Sequence, residues 1–282
     1  MLQSKADAVI PPVASAAGVE ADVTYIVPNG QKPFAYQYDP PTGEPERSHA
    51  YENRRVFIAD ARLSAGNFTL DREGFALRTA PTEAGNLYDE AVLRDIYYSE
   101  TERLLRAETD AAKILIFDHT IRTAKPVARG VGLPREPVLR VHNDYTVKSG
   151  PQRVRDLLPA AEAETRLQRR FAIINVWRPI VGPLQHQPLA FADAASLGPE
   201  DAIATDLIYP DRRGETYSIA YNPAHRWFYF PLMLRDEVAL IKTYDSDARV
   251  ARFSAHTAFD DPTNQNPEIL RESIEIRALV FY

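Results

Sequence analysis

The chain has 282 residues, 33 basic and 39 acidic side chains for a formal net charge of −6, 45% hydrophobic residues and no cysteine. With no basic face, nucleic acid is excluded as an expected partner, and without cysteine neither disulfides nor thiolate metal sites can form. Nothing approaches the ~18 consecutive apolar residues of a membrane span, and the N-terminus lacks a basic region followed by an apolar run, so the composition describes a soluble cytoplasmic protein that does not act in a membrane.

Residues 1–50 read as a mostly irregular N-terminal extension. The first 22, rich in Ala, Val and Pro, show little periodicity; Val23 to Val27 forms an early strand, and 28–50 carry the turn chemistry of Pro-Asn-Gly and Asp-Pro-Pro-Thr-Gly-Glu-Pro. Arg55 to Ala59 reads as a strand and Phe68 to Leu77 as a hairpin around Glu73-Gly74. From Asn86 to Glu108 apolar residues recur at Leu87, Ala91, Ile96 and Leu104-Leu105 with acidic residues early, which predicts helix in two pieces packed outside a sheet. Ile114 to Phe117 is a buried strand, Pro137 to Val141 another, and 151–170 a further helical stretch. Strands then follow at 171–178, 188–192, 216–221, 227–230 and 237–244. Many short strands after a largely helical first third predict a mainly β fold with flanking helices, a double-stranded β-helix (jelly roll, cupin-like), in one domain over 1–282 with no repeats or linker.

The chemistry sits at two places. In Arg140-Val-His142-Asn-Asp144-Tyr145 an imidazole and a carboxylate two residues apart project to one side of an extended strand. A distant second histidine would complete a 2-His-1-carboxylate set, which leaves positions open on Fe(II) for a co-substrate and O2. His256 is that histidine. Arg271 follows it 15 positions later and opens a strand on which Arg271, Ser273, Glu275 and Arg277 share one face, with Ile274 and Ile276 on the other. Cations and a hydroxyl along a buried face need an anion, and a dicarboxylic co-substrate supplies one. A histidine followed by Arg-x-Ser at this spacing resembles the distal iron ligand and 2-oxoglutarate anchor of Fe(II)/2-oxoglutarate dioxygenases. Arg271 and Ser273 are then the anchor, with Arg277 as the other candidate for contact with 2-oxoglutarate or substrate.

Longer segments carry a narrower resemblance. Asp60-Ala-Arg62, Gly74-Phe75, Ile96-Tyr-Tyr98-Ser-Glu100, Phe117-Asp-His119, Asn175-Val-Trp-Arg-Pro179, Arg226-Trp-Phe-Tyr-Phe-Pro231, Lys242-Thr-Tyr-Asp-Ser246, His256-Thr-Ala-Phe259 and Arg271 through Arg277, with the His142 segment, resemble the fungal and bacterial oxidoreductase family of the gibberellin desaturases. That family includes the cephamycin 7-methoxylation component and a meroterpenoid endoperoxide-forming enzyme. The resemblance runs from about residue 55 to the C-terminus. It implies Fe(II)/2-oxoglutarate chemistry in specialised metabolism: hydrogen-atom abstraction from a small molecule, leading to hydroxylation, desaturation or oxidative cyclisation.

Blander readings stand beside these. His142 and Asp144 could be a strand-end histidine bonded to a turn aspartate. His225, ten residues before Arg235, competes with His256, but it follows Asn-Pro at a turn and Arg235 sits in a surface-like run. His119 lies one strand before the His142 motif and reads as structural; Arg277 could simply pair with Glu275. Tyr97, Tyr98, Trp177, Trp227 and Tyr229 are candidate aromatic walls for an apolar substrate, and Arg178 and Lys242 are spare cations that would suit a carboxylated one. A homodimer or heterodimer is left open. A non-catalytic jelly-roll binding protein, or a metal oxygenase or isomerase without 2-oxoglutarate, would leave the Arg-x-Ser strand unexplained.

Overall fold

Alternation builds the first strand. Val19, Ala21, Val23 and Tyr25 are buried while Glu20 and Asp22 face solvent, so β1 (Gly18–Val27) has one apolar side. After a short β2 (Phe34–Tyr36) the chain returns as β3 (Ala50–Asp60), which pairs antiparallel with β1 over its full length. The computed structural model describes residues 17–64, 68–126 and 133–282. Within the extension expected to be irregular, residues 18–27 are thus regular sheet, while 28–49 are mainly loop; residues 1–16 lie outside the described residues. Residues 69–74 form a turn rather than the first arm of a hairpin, with Gly74 in the left-handed region at φ +84, and only β4 (Phe75–Thr79) is a strand.

Asp89 caps the helical stretch by accepting from the Ala91 N–H at 2.9 Å. The helix then runs from Glu90 through a π-helical turn at Leu93–Tyr97 directly into α1 (Tyr98–Thr109) and ends at left-handed Asp110. It is one interrupted helix, not two separate pieces. β5 (Lys113–Thr123) extends the expected strand by six residues toward the loop. Pro134 and Pro137 deny the next segment a regular ladder, so 137–141 is not a strand; Arg140 makes an isolated bridge to Thr24, and pairing begins at β6 (His142–Asn143). The helical stretch splits into α2 (Ser149–Leu157) and α3 (Ala160–Leu167). A Cβ on Gly150 would meet the Tyr244 ring at 2.5 Å, so only glycine lets α2 approach the sheet this closely.

The remaining strands are β7 (Phe171–Pro179), β8 (Leu189–Ala192), β9 (Ala202–Ile208), β10 (Arg213–Ile219), β11 (Trp227–Tyr229), β12 (Glu237–Asp245), β13 (His256–Ala258) and β14 (Glu272–Phe281). β9 was not expected from the sequence. Among the described residues they form two curled sheets, ordered β1-β3-β11-β8-β13-β6-β10-β9-β2 and β4-β12-β7-β14-β5. This is the jelly roll with flanking helices. β7, β12 and β14 are buried on both faces, which explains their nearly continuous apolar sequences. Ile174, Val176, Ile274 and Ile276 pack with Leu93, Tyr97 and Leu105 on the helical side. Trp177, Ala239 and Ile241 face the other way and meet Phe75, Phe191, Phe230 and Ala258 between the sheets. Among the described residues no helix is long and apolar enough to cross a membrane.

Candidate metal centre and co-substrate seat

The nine-stranded sheet places two histidines side by side. β13 pairs with β6 through His256 opposite His142, and the two rings lie 4.5 Å apart between centroids. The chain bends immediately after β6, which carries Asp144 across toward the smaller sheet while keeping it on the His142 side. His142 Nε2 and Asp144 Oδ1 are 3.7 Å apart, and ligand atoms of His142, Asp144 and His256 all lie within 4.8 Å of one another.

The remaining hydrogen bonds fix which atom of each side chain is free. His142 Nδ1 is 2.8 Å from the Arg140 carbonyl and His256 Nδ1 is 3.2 Å from the Ser254 carbonyl. A carbonyl only accepts, so each Nδ1 carries the proton and each Nε2 keeps its lone pair for a metal. Burial, reinforced by the neighbouring His256, pushes His142 down to about 3 and keeps it neutral. Asp144 Oδ2 accepts from Asn175 Nδ2 at 2.9 Å and from Arg277 Nε at 3.0 Å, which directs Oδ1 to the histidines. Burial alone would raise the Asp144 carboxyl, but the Arg277 guanidinium and the two imidazoles hold it well below the usual carboxylate range. Two neutral imidazole nitrogens and one carboxylate oxygen fit an Fe(II) ion and leave one side of it open.

β14 carries the expected polar face into the same interior. Arg271, Ser273 and Glu275 are buried, with Arg271 only 2% exposed. Arg271 Nε lies 3.2 Å from Ser273 Oγ, its Nη1 donates to the Gln187 carbonyl at 2.7 Å, and its guanidinium sits 5.0 Å from the centre of the Trp177 ring. It has no carboxylate partner among the described residues, and burial pushes it down to about 9. Arg277 is different. It binds Asp144, Asp118 at 3.1 Å, Thr120 at 2.9 Å and Glu275, so its guanidinium is already occupied by the protein's own carboxylates.

The other candidates separate by strand face. Trp177 stays in the interior beneath Arg271, and its buried indole N–H has no acceptor among the described residues. Arg178, one residue on, faces the π-helical turn and donates to Tyr97 Oη at 2.9 Å and to the Arg235 and Ala80 carbonyls. Tyr98 bonds His119 Nδ1 at 2.7 Å. Trp227 donates to Tyr25 Oη at 2.8 Å and, with Tyr229, packs beneath β1 on the outer face of the larger sheet. Lys242 is fully buried, its ammonium 2.6 Å from Asp71 and 2.8 Å from Asp245. His225 is stacked on Tyr25 and held 3.0 Å from Asp201. The rings on the interior side are phenylalanines: Phe191 lies opposite His256 in β8, and Phe75, Phe228 and Phe230 surround it.

Sequence reasoning gave no role to Asn175, although an amide at an inward position of an apolar strand needs a buried partner. A cavity of about 590 Å³ lined by Tyr145, Tyr217, Tyr244 and Phe253 contains none of the three ligand residues. Tyr217 pairs with Asn143 and Ser218 with His142, so that cavity adjoins the face of β10 turned away from the histidines.

A jelly roll whose interior brings His142, Asp144 and His256 together as a candidate 2-His-1-carboxylate set fits one class, the Fe(II)/2-oxoglutarate-dependent dioxygenases. The comparisons agree. The family model described as Oxidoreductase/YMDC permease-like domain matches residues 23–281, and the chain belongs to that family. The match begins within β1, well before the residue near 55 where the sequence resemblance starts. The hydroxylase/desaturase efuI of Hormonema carpetanum is 33% identical over 82% of this chain and 85% of its own length. The Fe(II)/2-oxoglutarate-dependent dioxygenase nvfI of Aspergillus novofumigatus is 26% identical over 95% of this chain and 99% of its own. The solved structure of the iron and alpha-ketoglutarate-dependent endoperoxidase NvfI superposes with a TM-score of 0.86 at 25% identity, covering 95% of this chain and 99% of that one.

Proposed function

We propose that this chain oxidises a mostly apolar small molecule of specialised metabolism, with His142, Asp144 and His256 holding Fe(II) and Arg271 and Ser273 seating the far carboxylate of 2-oxoglutarate. Iron bound there supplies the O2 activation that couples decarboxylation of 2-oxoglutarate to removal of a hydrogen atom from the substrate. The protein's part is placement. Arg277 and Asn175 aim one Asp144 oxygen, the Arg140 and Ser254 carbonyls set the imidazole tautomers, and the phenylalanines beside His256 keep water from the reacting face.

The observation that carries the reading is the pair of complementary binding groups along one interior surface. Three ligand atoms converge within 4.8 Å at one end, and a buried guanidinium without a carboxylate lies at the other. A 2-oxo dicarboxylate has a group for each. An apolar substrate is favoured because the two spare cations considered from sequence are committed elsewhere, Arg178 to carbonyls and Lys242 to Asp71 and Asp245. The test is succinate formation with Fe(II), ascorbate and 2-oxoglutarate across terpenoid acids, polyketide acids and small amino acids. Stimulation by the terpenoid or polyketide compounds is expected. Stimulation by amino acids alone overturns the apolar substrate, and no succinate under any condition overturns the co-substrate.

A further inference from the structure

At the rim of the polar interior a second, partly exposed guanidinium has no carboxylate within ion-pair distance among the described residues. Arg122 lies on β5 directly opposite Ser273 of β14, and the pairing continues through Ala124 N–H to the Arg271 carbonyl at 2.9 Å. Residues opposite one another in a ladder share a face, as do residues two apart. Arg122, Ser273 and Arg271 therefore line one patch. The protein bond made by the Arg122 guanidinium is to a backbone oxygen, Nη1 to the Glu136 carbonyl at 2.9 Å, and no carboxylate lies within ion-pair distance of it among the described residues.

The charges on this face do not balance without a ligand. Asp144 and Glu275 are the inward carboxylates, and both are bound by Arg277. Arg122 and Arg271 are left over, and Fe(II) at the triad would add further positive charge. Two neighbouring guanidiniums, Arg271 buried and Arg122 partly exposed, repel one another and lose hydration, a cost that an arriving carboxylate removes. Burial lowers the Arg122 pKa, and Arg122 in turn helps to lower that of Arg271, which places the two within electrostatic reach of each other.

We propose that Arg122 is a second carboxylate-binding residue of the co-substrate seat, so that the far carboxylate of 2-oxoglutarate is held between Arg122 and Arg271 beside Ser273. This rests on the 2-oxoglutarate reading above. A fork on each side matches the planar carboxylate better than a single guanidinium and a hydroxyl, and it sets the distance at which the 2-oxo acid end meets the triad. The competing role is mechanical: Arg122 would only brace the loop at Glu136 that leads to His142.

Calorimetric titration of the Mn(II)-loaded protein separates the two. The probes are 2-oxoglutarate and 2-oxobutyrate, which has the same 2-oxo acid end and no far carboxylate. Arg122→Gln should weaken 2-oxoglutarate at least tenfold and leave 2-oxobutyrate within twofold of wild type. An unchanged 2-oxoglutarate affinity, or equal losses for both probes, overturns the proposal alone. Failure of the wild type to bind 2-oxoglutarate overturns the co-substrate reading and the proposal with it. Thermal unfolding gives a second readout. Arg122→Met should leave the Tm of the ligand-free protein unchanged or raised, because an unneutralised, partly buried charge is gone, and should shrink the Tm gain on adding 2-oxoglutarate. A lowered ligand-free Tm with the full gain retained, or failure of both variants to fold, identifies the brace instead.

Discussion

Replacing Arg277 by Gln would separate its structural and metal-orienting roles. Its guanidinium bonds Glu275, which is 5% exposed, and Asp144 at 3.0 Å. Arg277→Gln leaves Glu275 buried without its counter-charge, a loss of about 3–5 kcal/mol of stability. It also frees Asp144 to rotate, held among the described residues by Asn175 alone at 2.9 Å. Loss of a group that orients a metal ligand weakens metal binding by about 10–100-fold, or roughly 1.4–2.7 kcal/mol. The double variant Glu275→Gln/Arg277→Gln removes the stranded charge, so it should recover much of the stability while keeping the weakened metal affinity. Urea unfolding of the metal-free proteins and competition for Mn(II) against a chelator measure the two effects. A double variant no more stable than Arg277→Gln would refute the ion-pair argument. Unchanged metal affinity with a large loss of 2-oxoglutarate affinity would return Arg277 to the role of co-substrate anchor.

Arg271→Gln should weaken 2-oxoglutarate binding by about 2–5 kcal/mol, as for one side of a buried charge-assisted pair, and Ser273→Ala by about 1 kcal/mol; titration calorimetry that ranks them the other way would contradict the seat. Lys242→Met should destabilise the fold in unfolding experiments, but by less than the roughly 3–5 kcal/mol of a fully stranded buried charge, because Arg170 still reaches both Asp71 and Asp245 at 2.7 Å. It should leave metal and co-substrate affinity unchanged, and loss of substrate-stimulated turnover at full stability would argue for a substrate contact. The metal-free protein should lose stability as pH falls below about 6.5, because the unfolded chain's histidine takes a proton there while folded His142, pushed down to about 3, does not. His142→Gln should flatten that slope in Tm measured from about pH 7 to pH 4, and parallel slopes would contradict the assignment.

The site was legible where a local rule determined it. The spacing of His142 and Asp144 fixes their common side, and the alternation from Arg271 to Glu275 fixes the polar face, whatever surrounds them. The aromatic walls were not legible, because β7 and β11 are largely buried on both faces and alternation alone does not reveal which side is the interior. Trp177 points inward and Arg178 outward; Trp227 and Tyr229 pack beneath β1, and Phe228 takes the interior side. Lys242 looked spare because Asp71 lies 171 residues away in sequence and Asp245, three positions on, reaches the same side only through the β-bulge between Lys242 and Tyr244. The period-two pattern of β1 was present at Val19, Ala21, Val23 and Tyr25, but the Ala-, Val- and Pro-rich composition of the segment concealed it. The register of β5 against β14, which brings Arg122 beside Ser273, follows from long-range pairing that no local pattern carries.

The most direct test of the metal assignment is to load wild type and His256→Ala with Fe(II) anaerobically, add 2-oxoglutarate, admit O2 and measure bound iron and succinate. The wild type should hold one iron per chain and form succinate. His256→Ala, folded by circular dichroism, should lose both, because its imidazole is one of the three groups converging within 4.8 Å. Full iron binding and succinate formation in His256→Ala would contradict the triad on which the account rests.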